Sequence, residues 1–102
     1  MTNVILKKTG IKQRVIDEII GFGKKYGVER IILFGSRARG DFKERSDIDL
    51  AFEGGQAARF ILDVDEETST LLKFDIIDLK KPVNEELRTS IMNEGIVIYE
   101  KV

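Results

Sequence analysis

Two aspartates separated by one residue are the part of this sequence that most directly suggests chemistry. Asp47 and Asp49 flank Ile48 in a stretch that alternates acidic with apolar residues, and this alternation is typical of a β-strand. Side chains alternate faces along a strand, so both carboxylates would point the same way, about 7 Å apart along the backbone. Two like charges this close raise each other's pKa unless a cation lies between them. The pair therefore suggests a shared divalent cation, although a solvated acidic strand is the commoner use of such a pattern.

A glycine–serine turn lies upstream of the aspartates, directly after an apolar strand. Gly35 and Ser36 follow Ile31–Phe34 and precede Arg37 and Arg39. Junctions of this kind present unpaired backbone N–H groups, and glycine lets the backbone approach an anion closely. The Ser36 hydroxyl can cap the following helix or donate to a phosphate oxygen, and the two arginines add positive charge. An ordinary capped turn with surface arginines has the same appearance, so the dipeptide alone indicates little.

The spacing joins these two features. Ten residues separate Ser36 from Asp47, so a phosphate cradle at the end of one strand and carboxylates on the next would face one cleft. Such a cleft can hold a triphosphate together with its metal ions. The sequence contains no histidine and no cysteine, which excludes disulfides, thiol nucleophiles and cysteine-ligated zinc. The remaining oxygen ligands favour Mg²⁺, Mn²⁺ or Ca²⁺.

Length and composition narrow the class of protein. With 102 residues, of which 42% are hydrophobic and 34% charged, we expect a single globular domain over residues 1–102. A formal net charge of -1 argues against direct nucleic-acid binding through an overall basic field. No apolar stretch approaches the ~20 residues of a membrane helix, and Met1–Gly10 lacks the apolar region of a signal peptide. We therefore expect a cytoplasmic protein without a membrane partner.

Helices and strands alternate along the chain and would position these groups. Helical spacing of apolar residues predicts one helix over Lys12–Tyr26 and another from Phe60 to Leu72, with a break near Ser69. Pro82 suits the start of a last helix, which Gly95 would cap. Strands are predicted at Ile31–Phe34, Ser46–Phe52, Phe74–Leu79 and Ile96–Tyr99, with a short helix within Gly35–Gly40. This order predicts an α/β (α+β) fold, with a central sheet of about four strands and helices packed on it.

The combined motif resembles the signature of the minimal nucleotidyltransferase (MNT) family, within the DNA polymerase β-like superfamily. Gly35–Gly40 reads GSRARG, and Ser46–Leu50 reads SDIDL after five intervening residues. The element order and the chain length also resemble those of the family. The resemblance implies a polymerase β-like core with a mixed central sheet, and in-line transfer of a nucleotidyl group with release of pyrophosphate.

The resemblance also implies roles for the residues of the motif. Asp47 and Asp49 would bridge two Mg²⁺ ions, with Mn²⁺ as an alternative metal. Gly35 and Ser36 would hold the β- and γ-phosphates of ATP or another nucleoside triphosphate, with Arg37 and Arg39 beside them. The expected catalytic set is Ser36, Asp47, Asp49 and a third acid.

Two aspartates are candidates for that third acid. Members of the superfamily carry it on a neighbouring strand, which here contains Asp75 and Asp78. Their odd offset puts them on opposite faces of the strand. We favour Asp75, which lies mid-strand and would complete the shell of the reactive metal and help to orient or deprotonate the acceptor. Asp78 lies at the strand end, where a solvated or turn-capping role is more typical.

Similarity to MNT proteins also suggests a partner. Such proteins are commonly encoded beside a HEPN-domain ribonuclease toxin and act as its antitoxin by transferring AMP to a tyrosine of the toxin. An alternative interpretation is a non-catalytic, nucleotide-binding regulatory subunit that inhibits its partner by occlusion. A third is a structural α/β module whose acidic residues are merely solvated.

Overall fold

The chain folds into a mixed β-sheet with helices packed on both faces. The computed structural model describes residues 8–102, so most of the segment Met1–Gly10, with its expected lack of a signal peptide, lies outside the described residues. No helix within those residues is long and apolar enough to cross a bilayer. In chain order the elements are α1 Gln13–Lys25, β1 Arg30–Phe34, α2 Gly35–Arg39, β2 Ile48–Glu53, α3 Ala57–Glu67, β3 Phe74–Asp78, α4 Glu85–Glu94 and β4 Ile96–Glu100.

The sheet has four strands in the order β3-β2-β1-β4. Strand β1 pairs antiparallel with both β2 and β4, whereas β2 and β3 are parallel. Parallel neighbours need a crossover of a dozen or more residues, and α3 supplies it between β2 and β3. The expectation of a mixed central sheet of about four strands is therefore confirmed, and the strand with Asp75 and Asp78 is a neighbour of the strand with Asp49.

Apolar side chains cover both faces of this sheet. On one face, α1 and α3 pack against alternate residues of β1 and β2, and the rings of Phe52 and Phe60 lie 4.9 Å apart between centroids. On the other face, Ile91 of α4 packs with Ile32 and Ala51. Because each face packs against its own helices, a slip of one residue in a strand would move its side chains to the opposite face and disrupt the packing of both. The register is therefore strongly specified.

The last helix begins later than its sequence suggests. It starts at Glu85 rather than at Pro82, because Asn84 is the N-cap. The Asn84 side-chain oxygen accepts hydrogen bonds from the N–H groups of Glu86 at 2.8 Å and Leu87 at 3.2 Å. This cap satisfies two of the backbone N–H groups in the first turn of α4, which have no carbonyl partner within the helix.

Helix α3 ends close to the break that the sequence predicted near Ser69, so the last two residues of the apolar stripe lie outside it. Its last residue is Glu67 and its C-cap is Thr68, whose hydroxyl donates to the Val64 carbonyl at 2.9 Å. Leu71 and Leu72, which the helical spacing included, belong to the connection before β3 instead. Leu71 is fully exposed there, so it is an apolar surface residue and not part of a buried helix face.

Helix α3 provides a test of this packing, because it carries one fully buried and one exposed side chain close together. Phe60 is 0% exposed and Leu62 is 53% exposed. Phe60→Ala should lower the free energy of unfolding by about 3–5 kcal/mol, since it removes a ring from a closed core. Leu62→Ala should change it by less than about 0.5 kcal/mol. Urea titrations of both variants measure the difference, and equal effects would contradict the assigned face.

Candidate active site

The parallel pairing of β2 with β3 places two of the predicted acids side by side. Asp49 is the register partner of Asp75, and Asp78 is the partner of Phe52. Register partners share a face, so Asp75 lies on the same face as Asp49, and Asp78 lies on the other. The Asp78 carboxylate accepts a hydrogen bond from the Lys80 N–H at 2.9 Å, which is a turn-capping contact. The register thus favours Asp75 over Asp78 as the third carboxylate.

Asp47 lies just outside the strand that carries its companion. Strand β2 begins at Ile48, so Asp47 is the last residue of the preceding loop and is exposed, whereas Asp49 is half-buried. The side chain of Ile48 is fully buried, as the alternation of the sequence predicted. Asp47 borders a cavity of about 610 Å³, whose other lining residues are Glu44, Arg45, Leu71, Leu72 and Lys73.

Gly35 brings the phosphate turn against the carboxylates. It follows Phe34, which is the register partner of Asp49 in the antiparallel pair of β1 and β2. Its φ is +75°, and a Cβ built on Gly35 would overlap the carboxylate of Asp49. Only glycine combines this backbone conformation with so close an approach. The structure therefore joins the predicted turn and Asp49 into one site.

Ser36 does not cap the short helix that it belongs to. The N-cap of α2 is Phe34, without a side-chain hydrogen bond. Ser36 is half-buried, and within residues 8–102 its hydroxyl has no hydrogen-bond partner, while its carbonyl accepts from the N–H groups of Gly40 and Asp41. The hydroxyl is thus available to a ligand beside Asp49. Of the two roles that the sequence allowed, this geometry favours the phosphate contact.

The two arginines of the motif lie on different sides of α2. Arg37 is buried, with a relative exposure of 2%, and its guanidinium donates to backbone carbonyls of Thr9, Glu44 and Ser46. Residues two apart on a helix point about 200° away from each other, so only one of them can face the cleft. The geometry disagrees with the expectation that Arg37 contacts the nucleotide, because its N–H groups serve the protein's own backbone.

Arg39 is the arginine on the open side. Its guanidinium lies 3.3 Å from the Asp41 carboxylate and 3.2 Å from that of Glu94. These hydrogen bonds, with Asp41 the stronger influence, raise the pKa of Arg39. The positive charge also acts on Asp49, whose pKa it lowers against the other influences. A nucleotide contact for Arg39 remains a prediction, and it would need exchange of at least one of these exposed ion pairs.

The electrostatics at Asp49 suit a cation. Burial, then the charge of Asp75, then that of Asp47, raise the pKa of Asp49 from 3.8 to about 6. A divalent cation would favour the charged form of Asp49 and so oppose this shift, since its positive charge offsets the negative charges of the three acids. No group of three ligating side chains within residues 8–102 already converges closely enough to enclose a metal. Mg²⁺ fits such a site, because it is usually bound by one or two carboxylates, with phosphate and water oxygens completing its shell.

The raised pKa of Asp49 predicts a site residue that destabilises the ligand-free fold. Between pH 3.8 and about 6 the folded chain retains a proton that the unfolded chain has lost, so stability falls as the pH rises through this window. Without metal, Asp49→Asn should therefore raise the free energy of unfolding at pH 7.5 by about 1–2 kcal/mol, less than the full shift implies because Asp49 is partly solvated.

The same comparison at pH 3.5 should show little difference, because the Asp49 carboxyl is then largely protonated in both the folded and the unfolded chain. Asp65→Asn is the matched control, since Asp65 is exposed on α3, and it should leave stability unchanged at both pH values. Urea titrations in EDTA measure all these quantities. A loss of stability in Asp49→Asn at pH 7.5 would contradict the prediction that the ionised Asp49 carboxylate destabilises the ligand-free fold.

Comparison with known proteins identifies the family. The family described as Polymerase beta, Nucleotidyltransferase matches residues 17–102. A protein of Methanocaldococcus jannaschii, whose name assigns it as a protein adenylyltransferase, is 33% identical over 81 residues, covering 71% of this chain and 79% of that protein.

Solved structures share the fold at lower identity. A toxin–antitoxin complex with AMP-PNP matches with a TM-score of 0.68 and 23% identity over 84% of this chain and 73% of that one. A complex of an MNT antitoxin with a tri-AMPylated HEPN toxin of Shewanella oneidensis gives 0.61 and 19%, over 89% and 74%. A Sulfolobus solfataricus protein, a nucleotidyltransferase by name, gives 0.54 and 19%, over 95% and 88%. The chain therefore belongs to the Polymerase beta nucleotidyltransferase family, and it is a nucleotidyltransferase with a polymerase β-like fold.

Proposed function

We propose that this nucleotidyltransferase is a protein adenylyltransferase, which moves AMP from ATP to a hydroxyl group of a partner protein. The observation that carries the proposal is the pairing of Asp49 with Asp75 beside Gly35, in a chain of a nucleotidyltransferase family. The name of the M. jannaschii relative supports adenylyl transfer to a protein. The AMP-PNP in a complex of the same fold supports ATP as the donor.

The nucleotide's phosphates would bind at the turn between β1 and α2. Gly35 allows a phosphate to approach the backbone closely, and the unpartnered Ser36 hydroxyl can donate to a β- or γ-phosphate oxygen. With the β- and γ-phosphates at this turn, the α-phosphate would lie next to Asp49, whose carboxylate is in close contact with Gly35. The triphosphate then lies along the side of the sheet that carries both register-paired acids.

Two Mg²⁺ ions would share the three carboxylates, and Mn²⁺ would suit the same oxygen ligands. Asp47 and Asp49 would hold both ions, and Asp75 would complete the shell of the ion next to the acceptor. When bound, such ions offset the charge of the phosphates and lower the pKa of an acceptor hydroxyl. Asp49 lies between Asp47 along the chain and Asp75 across the sheet, a position that suits a ligand shared by both ions.

The reaction itself is an in-line displacement. The acceptor oxygen forms a bond to the α-phosphorus while the bond from that phosphorus to the pyrophosphate oxygen breaks, and pyrophosphate leaves with the electron pair. Asp75 orients the hydroxyl and accepts its proton; because Asp75 is exposed, the proton can pass on to solvent. No histidine exists in the sequence to act as the base, so the carboxylate carries this role.

The acceptor would be a tyrosine of a HEPN-domain toxin, which makes this chain an antitoxin. A tri-AMPylated HEPN toxin in complex with an MNT antitoxin of the same fold supports this choice. The cavity of about 610 Å³ next to Asp47 gives room for a protein side chain, and Leu71 at its rim is fully exposed. An exposed leucine beside this cavity is suited to an apolar contact with a partner.

Substituting Asp75 and Asp78 one at a time tests the roles proposed for them. Asp75→Asn should leave Mg²⁺-dependent binding of a non-hydrolysable ATP analogue nearly intact, while it lowers AMP transfer at least ~100-fold, because it removes one preorganised charge at the acceptor. Asp78→Asn is the matched control on the other face of the same strand and should transfer normally. Calorimetry measures binding, and transfer of radiolabelled AMP to a co-purified toxin measures the reaction.

Three results would count against these assignments. Loss of transfer in Asp78→Asn but not in Asp75→Asn would mean that the third carboxylate is Asp78. A parent protein that binds the analogue and inhibits the toxin, yet transfers no label, would favour inhibition by occlusion. A parent protein that binds no nucleotide with Mg²⁺ would leave only a structural module.

The Ser36 hydroxyl provides a second test, at the phosphate end of the site. Ser36→Ala removes one charge-assisted hydrogen bond and should weaken nucleotide binding or transition-state stabilisation by roughly 1.5–3 kcal/mol. The fold should remain stable, since the hydroxyl has no partner within residues 8–102. Ser90→Ala, on the exposed surface of α4, is the control. Unchanged affinity and rate in Ser36→Ala would remove Ser36 from the phosphate site.

A further inference from the structure

Arg37 is the most deeply buried charged residue that the structure describes, and it lies next to Ser36 in sequence. Its relative exposure is 2%, and burial lowers the pKa of its guanidinium. A cation removed from water destabilises a fold unless its N–H groups are satisfied. A residue with this environment needs a specific reason to be an arginine rather than an apolar side chain of similar size.

The contacts of the guanidinium supply that reason. Nη1 donates to the Thr9 carbonyl at 2.9 Å, Nη2 to that of Glu44 at 3.1 Å, and Nε to that of Ser46 at 3.0 Å. The central carbon of the guanidinium, Cζ, also lies 4.8 Å from the centre of the Phe42 ring. One side chain therefore connects the N-terminal turn and both ends of the loop 42–46 to helix α2.

The contact with Ser46 has the most direct bearing on the site. The Ser46 carbonyl belongs to the peptide group that also contains the Asp47 N–H, so the guanidinium holds the peptide immediately before the first aspartate. Asp49 lies within the hydrogen-bonded ladder of β2, but Asp47 precedes that strand. Upstream of Ile48, the loop turn is closed by Ser46, whose N–H donates to the Lys43 carbonyl at 3.0 Å, and Arg37 ties this turn to α2.

We propose that Arg37 is a positioning residue that holds Asp47 at a set distance from the Gly35–Ser36 phosphate turn. The inference rests on the proposed function, in which the turn holds phosphates and Asp47 holds the cation that accompanies them. Arg37 takes no part in the chemistry. It acts through backbone carbonyls, and its planar, multiply donating guanidinium is what a lysine cannot reproduce.

The first test follows the backbone of the ligand-free protein and needs no activity. In ¹⁵N relaxation measurements, the Asp47 amide of the parent should be rigid, with an order parameter of about 0.85. In Arg37→Lys it should fall below about 0.6, while the Asp49 amide stays rigid within the sheet. An Asp47 amide equally ordered in both proteins would overturn the inference, whatever the enzyme does.

The second test asks whether the loosening matters through Asp47. Arg37→Lys should weaken binding of Mg²⁺ with a non-hydrolysable ATP analogue about tenfold, since two or more directed hydrogen bonds are lost. In an Asp47→Asn background the same substitution should weaken it less than about twofold, because the group that Arg37 positions is already disabled. Additive losses in the two backgrounds would indicate general destabilisation and would reject the positioning role.

Two further variants keep the tests decisive. Arg30→Lys alters a second arginine, which is only partly buried and pairs with Glu53 at 2.8 Å at the far end of β1, and it should change neither readout. If Arg37→Lys does not fold, Phe42→Leu keeps the guanidinium but removes the ring beside it, and both readouts should move in the same direction by a smaller amount. A folded Phe42→Leu protein with an unchanged Asp47 amide and affinity would overturn the inference. A parent protein that binds no nucleotide refutes the proposed function, and the amide measurement still decides on the positioning.

Discussion

The in-register parallel pairing of β2 and β3 is the constraint on which the rest of the site depends. It sets Asp49 opposite Asp75 on one face of the sheet, and a slip of one residue would move Asp75 to the other face. The register is held from behind, where Leu50 and Phe52 pack under α1 and α3. A core of apolar side chains on one face thus places like charges together on the other. Burial of Asp49, followed by the charges of Asp75 and Asp47, raises its pKa to about 6.

The remaining parts of the site connect to this pair through the backbone. Gly35 approaches Asp49 so closely that no side chain fits between them, and the Ser36 hydroxyl beside it is left for a ligand. Arg37 turns away from the cleft and binds carbonyls of the loop that leads to Asp47. In the proposed function, a chain without histidine or cysteine would bind a charged nucleotide through carboxylates, a hydroxyl and main-chain geometry.

Much of this arrangement follows from the sequence, for identifiable reasons. The alternation around Ile48 and the apolar runs predicted the strands, and the odd offset between Asp75 and Asp78 predicted that only one of them could join Asp49. The predicted start of α4 at Pro82 was wrong, because the side chain of Asn84 caps the helix and α4 begins after it. Leu71 and Leu72 matched a helical stripe, although they lie in the loop before β3.

The placement of Arg37 was the least accessible to sequence reasoning. Its partners are carbonyls of residues up to 28 positions away, and backbone carbonyls leave no signature in a sequence. One signal was present: Arg37 and Arg39 are two positions apart on a helix and point about 200° away from each other, so both could not face one cleft. The direction of the cleft, which decides between them, comes only from the sheet.

The mass of the partner protein tests the central claim most directly. The proposed partner, a HEPN-domain protein, should be purified and incubated with the parent protein, ATP and Mg²⁺, and its mass should be measured by mass spectrometry before and after. The account predicts an increase by one or more AMP units, located by fragmentation on tyrosine and absent without ATP. A partner that binds this chain and loses its activity, yet keeps its original mass, would contradict adenylyl transfer and favour inhibition by binding alone.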